Sequence, residues 1–234
     1  GGGGGGGGAV VLGDYSVSSE LLKLKFDHIH FTGSPNVGKV VMHAAAEHLT
    51  TVTLELGGKS PAIIDESANI DAAVKKISWG KFVNVGQTCI APDYVLIHES
   101  KKDEFIAKFK TNAEKFFTAT PKQSADLARI VNNKHFNRLK GLLEDAVLRG
   151  AKVEYGGDLD ESQNYISPTL LSNVPLDSKI MEEEIFGPLL PLVTFKTMDE
   201  ALKIVNGKEK PLALYVFSGK SKVSDYVVNN TSAG

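Results

Sequence analysis

The 234 residues contain one cysteine, Cys89, within Phe82-Val83-Asn84-Val85-Gly86-Gln87-Thr88-Cys89-Ile90-Ala91-Pro92-Asp93. A thiol placed at a turn is open to attack a substrate, and nearby backbone N–H groups can stabilise both a thiolate and an oxyanion. Gly86 supplies such a turn, at the end of an expected helix and in front of an expected strand. Upstream lies Leu54-Glu55-Leu56-Gly57-Gly58-Lys59-Ser60-Pro61. A carboxylate in the last turn of an apolar strand is costly to bury, and desolvation would raise its pKa toward the range of a general base. Cys89 and Glu55 are therefore a candidate nucleophile and a candidate base. Each also has a plainer reading. A lone cysteine is more often a small buried hydrophobe, and Glu55 can face water at its strand end or pair with Lys59.

Two further segments carry weaker signals. Gly33-Ser34-Pro35-Asn36-Val37-Gly38 follows a strand and opens a helix, where free backbone N–H groups favour phosphate. Its spacing is not G-x-G-x-x-G, and no acidic residue stands where that fingerprint needs one. Glu182-Glu183-Glu184-Ile185-Phe186-Gly187-Pro188 is an acidic run before an aromatic and a Gly-Pro turn, which by itself reads as a solvated loop. The six histidines are scattered. None has metal-ligand spacing with Cys89 or forms a Ser/His/Asp arrangement.

Hydrophobic periodicity supplies the elements that position these residues. A strand is expected over 26–31, then a helix with Val37, Val40, Val41, Ala44 and Ala45 on one face. Strands are expected at 52–56 and 62–64, and a helix from Asp71 that carries Val74, Ile77 and Trp79. A strand at 94–97 leads to a helix capped by Ser100, with Phe105, Ile106, Phe109, Ala113 and Phe116 aligned. Phe136, Leu139, Leu142, Leu143, Ala146 and Val147 mark another helix, closed by Gly150. Strands are expected at 152–155 and 165–166. One at 189–195 contains Pro191, which points to an edge or a bulge. Helix 200–205, strand 212–217 and helix 223–228 follow. The alternation predicts an α/β fold with mostly parallel sheets and flanking helices.

Composition narrows the classes. The apolar fraction is 42% and the charged fraction 23%, ordinary for a globular protein with a sizeable core. The formal net charge of −2 gives no electrostatic reason to expect nucleic acid or an anionic membrane as partner. No apolar run approaches the ~18 residues of a membrane span, and no secretory leader is visible. One cysteine excludes an internal disulfide, which makes a reducing, intracellular and by default cytoplasmic location the expectation. Residues 1–8 are all glycine and carry no fold information.

Taken in order, Leu54 to Pro61, Gly86-Gln87-Thr88-Cys89 and Glu183-Glu184-Ile185-Phe186-Gly187-Pro188 resemble the aldehyde dehydrogenase superfamily. Residues 26–38 resemble its cofactor turn. Cys89-Ile90-Ala91-Pro92-Asp93-Tyr94 and Lys210-Pro211-Leu212-Ala213-Leu214-Tyr215 resemble its class-three and fatty aldehyde branch. The resemblance runs from about residue 10 to 234.

It implies that residues 9–57 are the C-terminal portion of an NAD(P)-binding domain. Residues 58–234 would be a catalytic domain, truncated at its C-terminal end. It implies NAD or NADP as cofactor, a small-molecule aldehyde as substrate and a homodimer in the intact parent. Cys89 would add to the aldehyde carbon and pass through a thiohemiacetal to a thioester, which water activated by Glu55 would hydrolyse. The backbone N–H of Cys89 would be one oxyanion donor. Gly33, Ser34 and Gly38 would border the dinucleotide, Leu56 and Gly57 would lie near the nicotinamide, Glu184 would hold its ribose and Phe186 would pack against that end.

The chain departs from the family pattern in lacking the N-terminal half, with the adenosine-ribose site and a second, asparagine oxyanion donor. It also lacks a final segment that carries tunnel and oligomer contacts, which leaves membrane association through a missing C-terminal tail open. These departures imply that the chain alone is inactive. One alternative is an inactive fragment or pseudoenzyme with a structural or partner-binding role, and the retention of both Cys89 and Glu55 argues against it. Another is a cysteine acyl transferase or esterase, against which the Glu184–Phe186 motif argues.

Overall fold

The computed structural model describes residues 7–234. Most of the glycine run, residues 1–6, lies outside the described residues. Two compact units are present, one ending at Leu56 and the other spanning Gly57–Gly234.

In the first unit, helix α1 (Tyr15–Leu21) is capped by Asp14 and is nearly all exposed. It had no counterpart in the periodicity because it has no apolar face to bury. Strand β1 (His28–Thr32), helix α2 (Pro35–Ala46) and strand β2 (Thr51–Glu55) then form a βαβ unit. Its strands pair in parallel from His28↔Thr51 to Thr32↔Glu55. Ser34 caps α2 by accepting from the Val37 N–H, and Pro35 takes the first turn, where its missing donor costs nothing. The helical period was read correctly but its face is rotated. Gly38, Val41 and Ala45 are buried, whereas Val37 and Val40 are exposed. The reason is Gly38, which lets the helix approach Leu54 and Leu56 closely.

The second unit contains β3 (Pro61–Ile64), α3 (Ile70–Phe82), β4 (Tyr94–His98), α4 (Lys102–Phe117), α5 (Asn133–Leu148), β5 (Lys152–Tyr155), β6 (Leu159–Asp160), β7 (Tyr165–Ile166), β8 (Thr169–Ser172), α6 (Lys179–Glu182), β9 (Leu189–Phe195), α7 (Met198–Asn206), β10 (Tyr215–Phe217) and α8 (Ser221–Asn229). Its main sheet runs β10-β3-β4-β9-β8-β5. All neighbours in it are parallel except β5, which joins β8 antiparallel. The inner strands are continuous apolar runs, buried along β3 and nearly all of β4 and β9, as a sheet covered on both faces requires. The fold class is thus α/β with mostly parallel strands.

Three local expectations change. Strand β9 is interior, between β4 and β8, despite Pro191. Pro191 is the last residue paired with β8, opposite Leu171, and pairing with β4 begins one residue later at Leu192↔Val95. The missing N–H thus falls where the strand passes from one neighbour to the other. Ser100 does not cap α4. A short 3₁₀ turn over Glu99–Lys101 intervenes, in which the His98 ring accepts from the Ser100 N–H, and α4 starts without a side-chain cap. Trp79 and Val147 face outward, and in the last turn of α4 it is Phe117 that joins the buried Phe105 and Phe109, with Phe116 only partly covered. No helix among the described residues is long and apolar enough to cross a membrane.

Candidate active site

Cys89 lies between α3 and β4, in a tight turn closed by the Ala91 N–H donating to the Thr88 carbonyl at 3.0 Å. The thiol is half-buried. The backbone reaches this turn through three consecutive left-handed residues, with φ of 51° at Asn84, 49° at Val85 and 76° at Gly86. For a β-branched residue such a φ costs on the order of 1–3 kcal/mol and persists only where the surroundings impose it. Val85 is fully buried, so packing imposes it here. Gln87 ties the loop down from both ends of its amide. Nε2 donates to the carbonyls of Asn84 and Arg129, and Oε1 accepts from the Val131 N–H at 2.9 Å.

Gly86 is required for space as well as for φ. A Cβ there would stand 2.3 Å from the carbonyl oxygen of Gly187. The cysteine loop is thus seated directly on the loop that carries Glu184. We expect Gly86→Ala to separate the two loops and to cost at least the roughly 1–3 kcal/mol of a left-handed non-glycine residue. A lowered denaturation midpoint and slower alkylation of Cys89 would register this.

The Glu184 carboxyl reaches back to Gly57 and Gly58. It receives the Gly58 N–H and occupies the space a side chain at Gly57 would need, 2.1 Å from its absent Cβ. Burial pushes this carboxyl above its ordinary value and neighbouring Asp93 adds to the effect, while the Gly58 N–H, Lys59 and Arg138 partly offset it. Phe186 is partly exposed in a left-handed conformation, φ 49°. Cys89, Gly57, Glu184 and Phe186 therefore all belong to one unit, and contacts join their loops.

Beneath them lies an ion pair that sequence reading missed. The buried Lys59 ammonium hydrogen-bonds Asp93 and donates to the carbonyls of Ile180 and Glu183 at 2.7 and 2.9 Å. Asp93 also accepts from the Ile185 N–H at 2.8 Å. Lys59 thus pairs with Asp93 rather than with Glu55.

Lys81, 1% exposed, was also overlooked. Burial lowers its pKa to about 8, a shift that Asp93 opposes, Lys59 reinforces and Glu184 opposes. The folded state holds this proton less tightly than the unfolded chain, so stability rises with pH between about 8 and the ordinary lysine value. Lys81→Met should therefore gain stability over the parent below pH 8, and the difference should shrink toward pH 10. Urea melts across that range measure it.

In the first unit, Gly33, Ser34 and Gly38 sit at the β1–α2 turn. The Gly33 N–H donates to the Glu55 carbonyl at 3.0 Å, which places Glu55 and the turn side by side at the C-terminal ends of two parallel strands, the usual ligand edge of such a sheet. Leu56 packs on Gly38. The Glu55 side chain is exposed, which matches the plainer reading of a carboxylate facing water at its strand end. β2 alternates exposed and partly buried residues, and its terminal carboxylate falls on the open face.

An apolar cavity of about 710 Å³ is lined by Trp79, Val83, Phe116 and Tyr215, among others, and by Thr88 and Ile90, the residues on either side of Cys89 in the chain. The Tyr215 hydroxyl donates to the Ile90 carbonyl. Burial and the nearby Cys89 hold its pKa up, so it remains a donor. No cluster suited to a metal ion occurs among the described residues.

The aldehyde dehydrogenase family model matches residues 8–234. The chain belongs to the aldehyde dehydrogenase family. Aldehyde dehydrogenase family 3 member A2 of Rattus norvegicus is 49% identical over 225 residues, covering 96% of this chain and 46% of that protein. The dimeric NADP-preferring aldehyde dehydrogenase of the same species is also 49% identical, over 96% of this chain and 49% of its own length. Among solved structures, the substrate-bound state of Staphylococcus aureus AldH matches with a TM-score of 0.90 and 48% identity, over 94% of this chain and 47% of that one. The chain spans about half the length of the aldehyde dehydrogenases it matches.

Proposed function

We propose that the whole protein oxidises an apolar aldehyde to a carboxylic acid with NAD or NADP. The observation that carries this reading is the seat of the Cys89 loop on the Glu184 loop, through Gly86 and Gly187, beside an apolar cavity. The first unit is read as part of the dinucleotide-binding domain and the second as catalytic.

The cofactor fits the residues present. The missing side chain at Gly57 leaves a cradle around the Glu184 carboxylate, and Gly33, Ser34 and Gly38 form a side-chain-poor helix entry suited to phosphate. Glu184 would hold the nicotinamide ribose, with Phe186, Leu56 and Gly57 around the nicotinamide. When bound, the dinucleotide supplies the hydride acceptor for the oxidation.

The chain's own residues do the rest. The Cys89 thiolate adds to the aldehyde carbon, giving a thiohemiacetal whose oxyanion the Cys89 N–H stabilises. Oxidation leaves a thioester on Cys89. Glu55 takes a proton from water, the resulting hydroxide attacks the thioester carbon, and the carboxylic acid leaves as the thiolate is regenerated. Trp79, Val83 and Ile90 would offer apolar surface to the hydrocarbon portion of the substrate. The relatives' printed names include a dimer, and we read the whole protein as a homodimer.

The test is incubation of the whole protein with aliphatic aldehydes and each dinucleotide, following absorbance of the reduced cofactor together with alkylation of Cys89. Reduced cofactor, and protection of a fast-reacting Cys89 by aldehyde, are expected. A slow-reacting thiol that aldehyde does not protect, with no reduced cofactor, would sink the proposal in favour of a scaffold.

A further inference from the structure

Backbone carbonyls of the 180–185 segment are held by cationic side chains from several elements. Lys59 takes those of Ile180 and Glu183, and Lys208 takes that of Met181. The carbonyls of Glu184 itself and of the next residue, Ile185, are held by Arg138, on α5. Its Nη1 donates to the Glu184 carbonyl at 3.1 Å and its Nη2 to the Ile185 carbonyl at 2.5 Å, with the Glu183 carboxylate 3.4 Å away. The next residue on the helix, Leu139, closes over Gly187, so that a Cβ there would stand 2.4 Å from Leu139 Cδ2. Adjacent α5 residues thus grip both ends of the turn that contains left-handed Phe186.

We infer that Arg138 is a positioning residue for the cofactor end of the site. By holding the Glu184 and Ile185 carbonyls against α5, it sets the Glu184 carboxylate at Gly57–Gly58 and the Gly187 carbonyl against Gly86. It touches neither substrate nor cofactor. The guanidinium suits this task because its rigid fork presents two donors to two successive carbonyls. A lysine ammonium is a flexible point charge and cannot hold both in one geometry. The inference rests on the proposed role of Glu184 in holding the ribose, but its structural half can be measured separately.

The experiment compares Arg138→Met and Arg138→Lys with the parent, in the whole protein. Hydrogen exchange of residues 183–187 should accelerate about tenfold in Arg138→Met, the scale set by one charge-assisted hydrogen bond, while α3 and β4 keep their protection. KM for the dinucleotide should rise by a similar factor, more than kcat falls, and Arg138→Lys should be intermediate. Unchanged exchange in 183–187, or protection lost equally throughout, would overturn the inference, the latter by making Arg138 a general stability residue. A parent protein that reduces no dinucleotide would remove the proposed function, and the exchange data would still decide what Arg138 holds in place.

Discussion

Cys89→Ser is expected to abolish dinucleotide reduction, by on the order of 10⁴-fold or more, the scale seen when a nucleophile is removed. The chemistry accounts for the size. A serine hydroxyl is almost wholly protonated near neutrality, and no general base lies beside it in sequence to activate it. The fold gives no reason for a confounding loss of stability. The turn is held by the Ala91 N–H on Thr88 and by the Gln87 amide, and the thiol appears in none of those bonds. Single-turnover kinetics should show no burst, with a melting temperature close to that of the parent. A serine variant that retains a burst of reduced cofactor would refute the assignment of Cys89 as nucleophile.

Glu55→Gln should separate the two halves of the reaction. Thioester formation depends on Cys89 and continues, so one equivalent of reduced dinucleotide should still appear in a burst. Steady turnover should fall about 10²–10⁴-fold, the usual worth of a general base, because hydrolysis becomes limiting. Glutamine matches the shape and removes only the ability to take a proton. The side chain is exposed at the end of β2, so folding should be indifferent to the change. Loss of burst and steady rate together would instead place Glu55 in an earlier step.

The α/β class and most elements were legible because alternation and helical spacing record burial directly. The site was legible as three short motifs but not as a constellation. Nothing in the spacing of Gly86 and Gly187 shows that they meet at van der Waals distance. Lys81 was within reach of the sequence, since Val74, Ile77, Ser78 and Lys81 share a helical face and all are buried. It was passed over because a lysine on such a face contradicts the usual pattern. Arg138 and the Lys59–Asp93 pair had no local signal, because their partners are backbone carbonyls and a carboxylate far along the chain. For Glu55 the sequence left two environments open, buried or facing water at the strand end, because the period of a five-residue strand does not say which face its last residue takes.

Pro191 acts as a ruler for the site. Strand β9 begins immediately after the loop that carries Glu184 and Gly187. A slide of two residues along its neighbours would preserve which face each side chain occupies, so the apolar pattern alone would tolerate it. It would also carry the loop about 6.6 Å along the sheet, well away from Gly58 and Gly86. A residue without an N–H has few acceptable places in an interior strand, and the handover between β8 and β4 is one of them. The residue that looked like a defect in the strand thereby supplies the reference mark from which the distance between thiol and carboxylate is measured out.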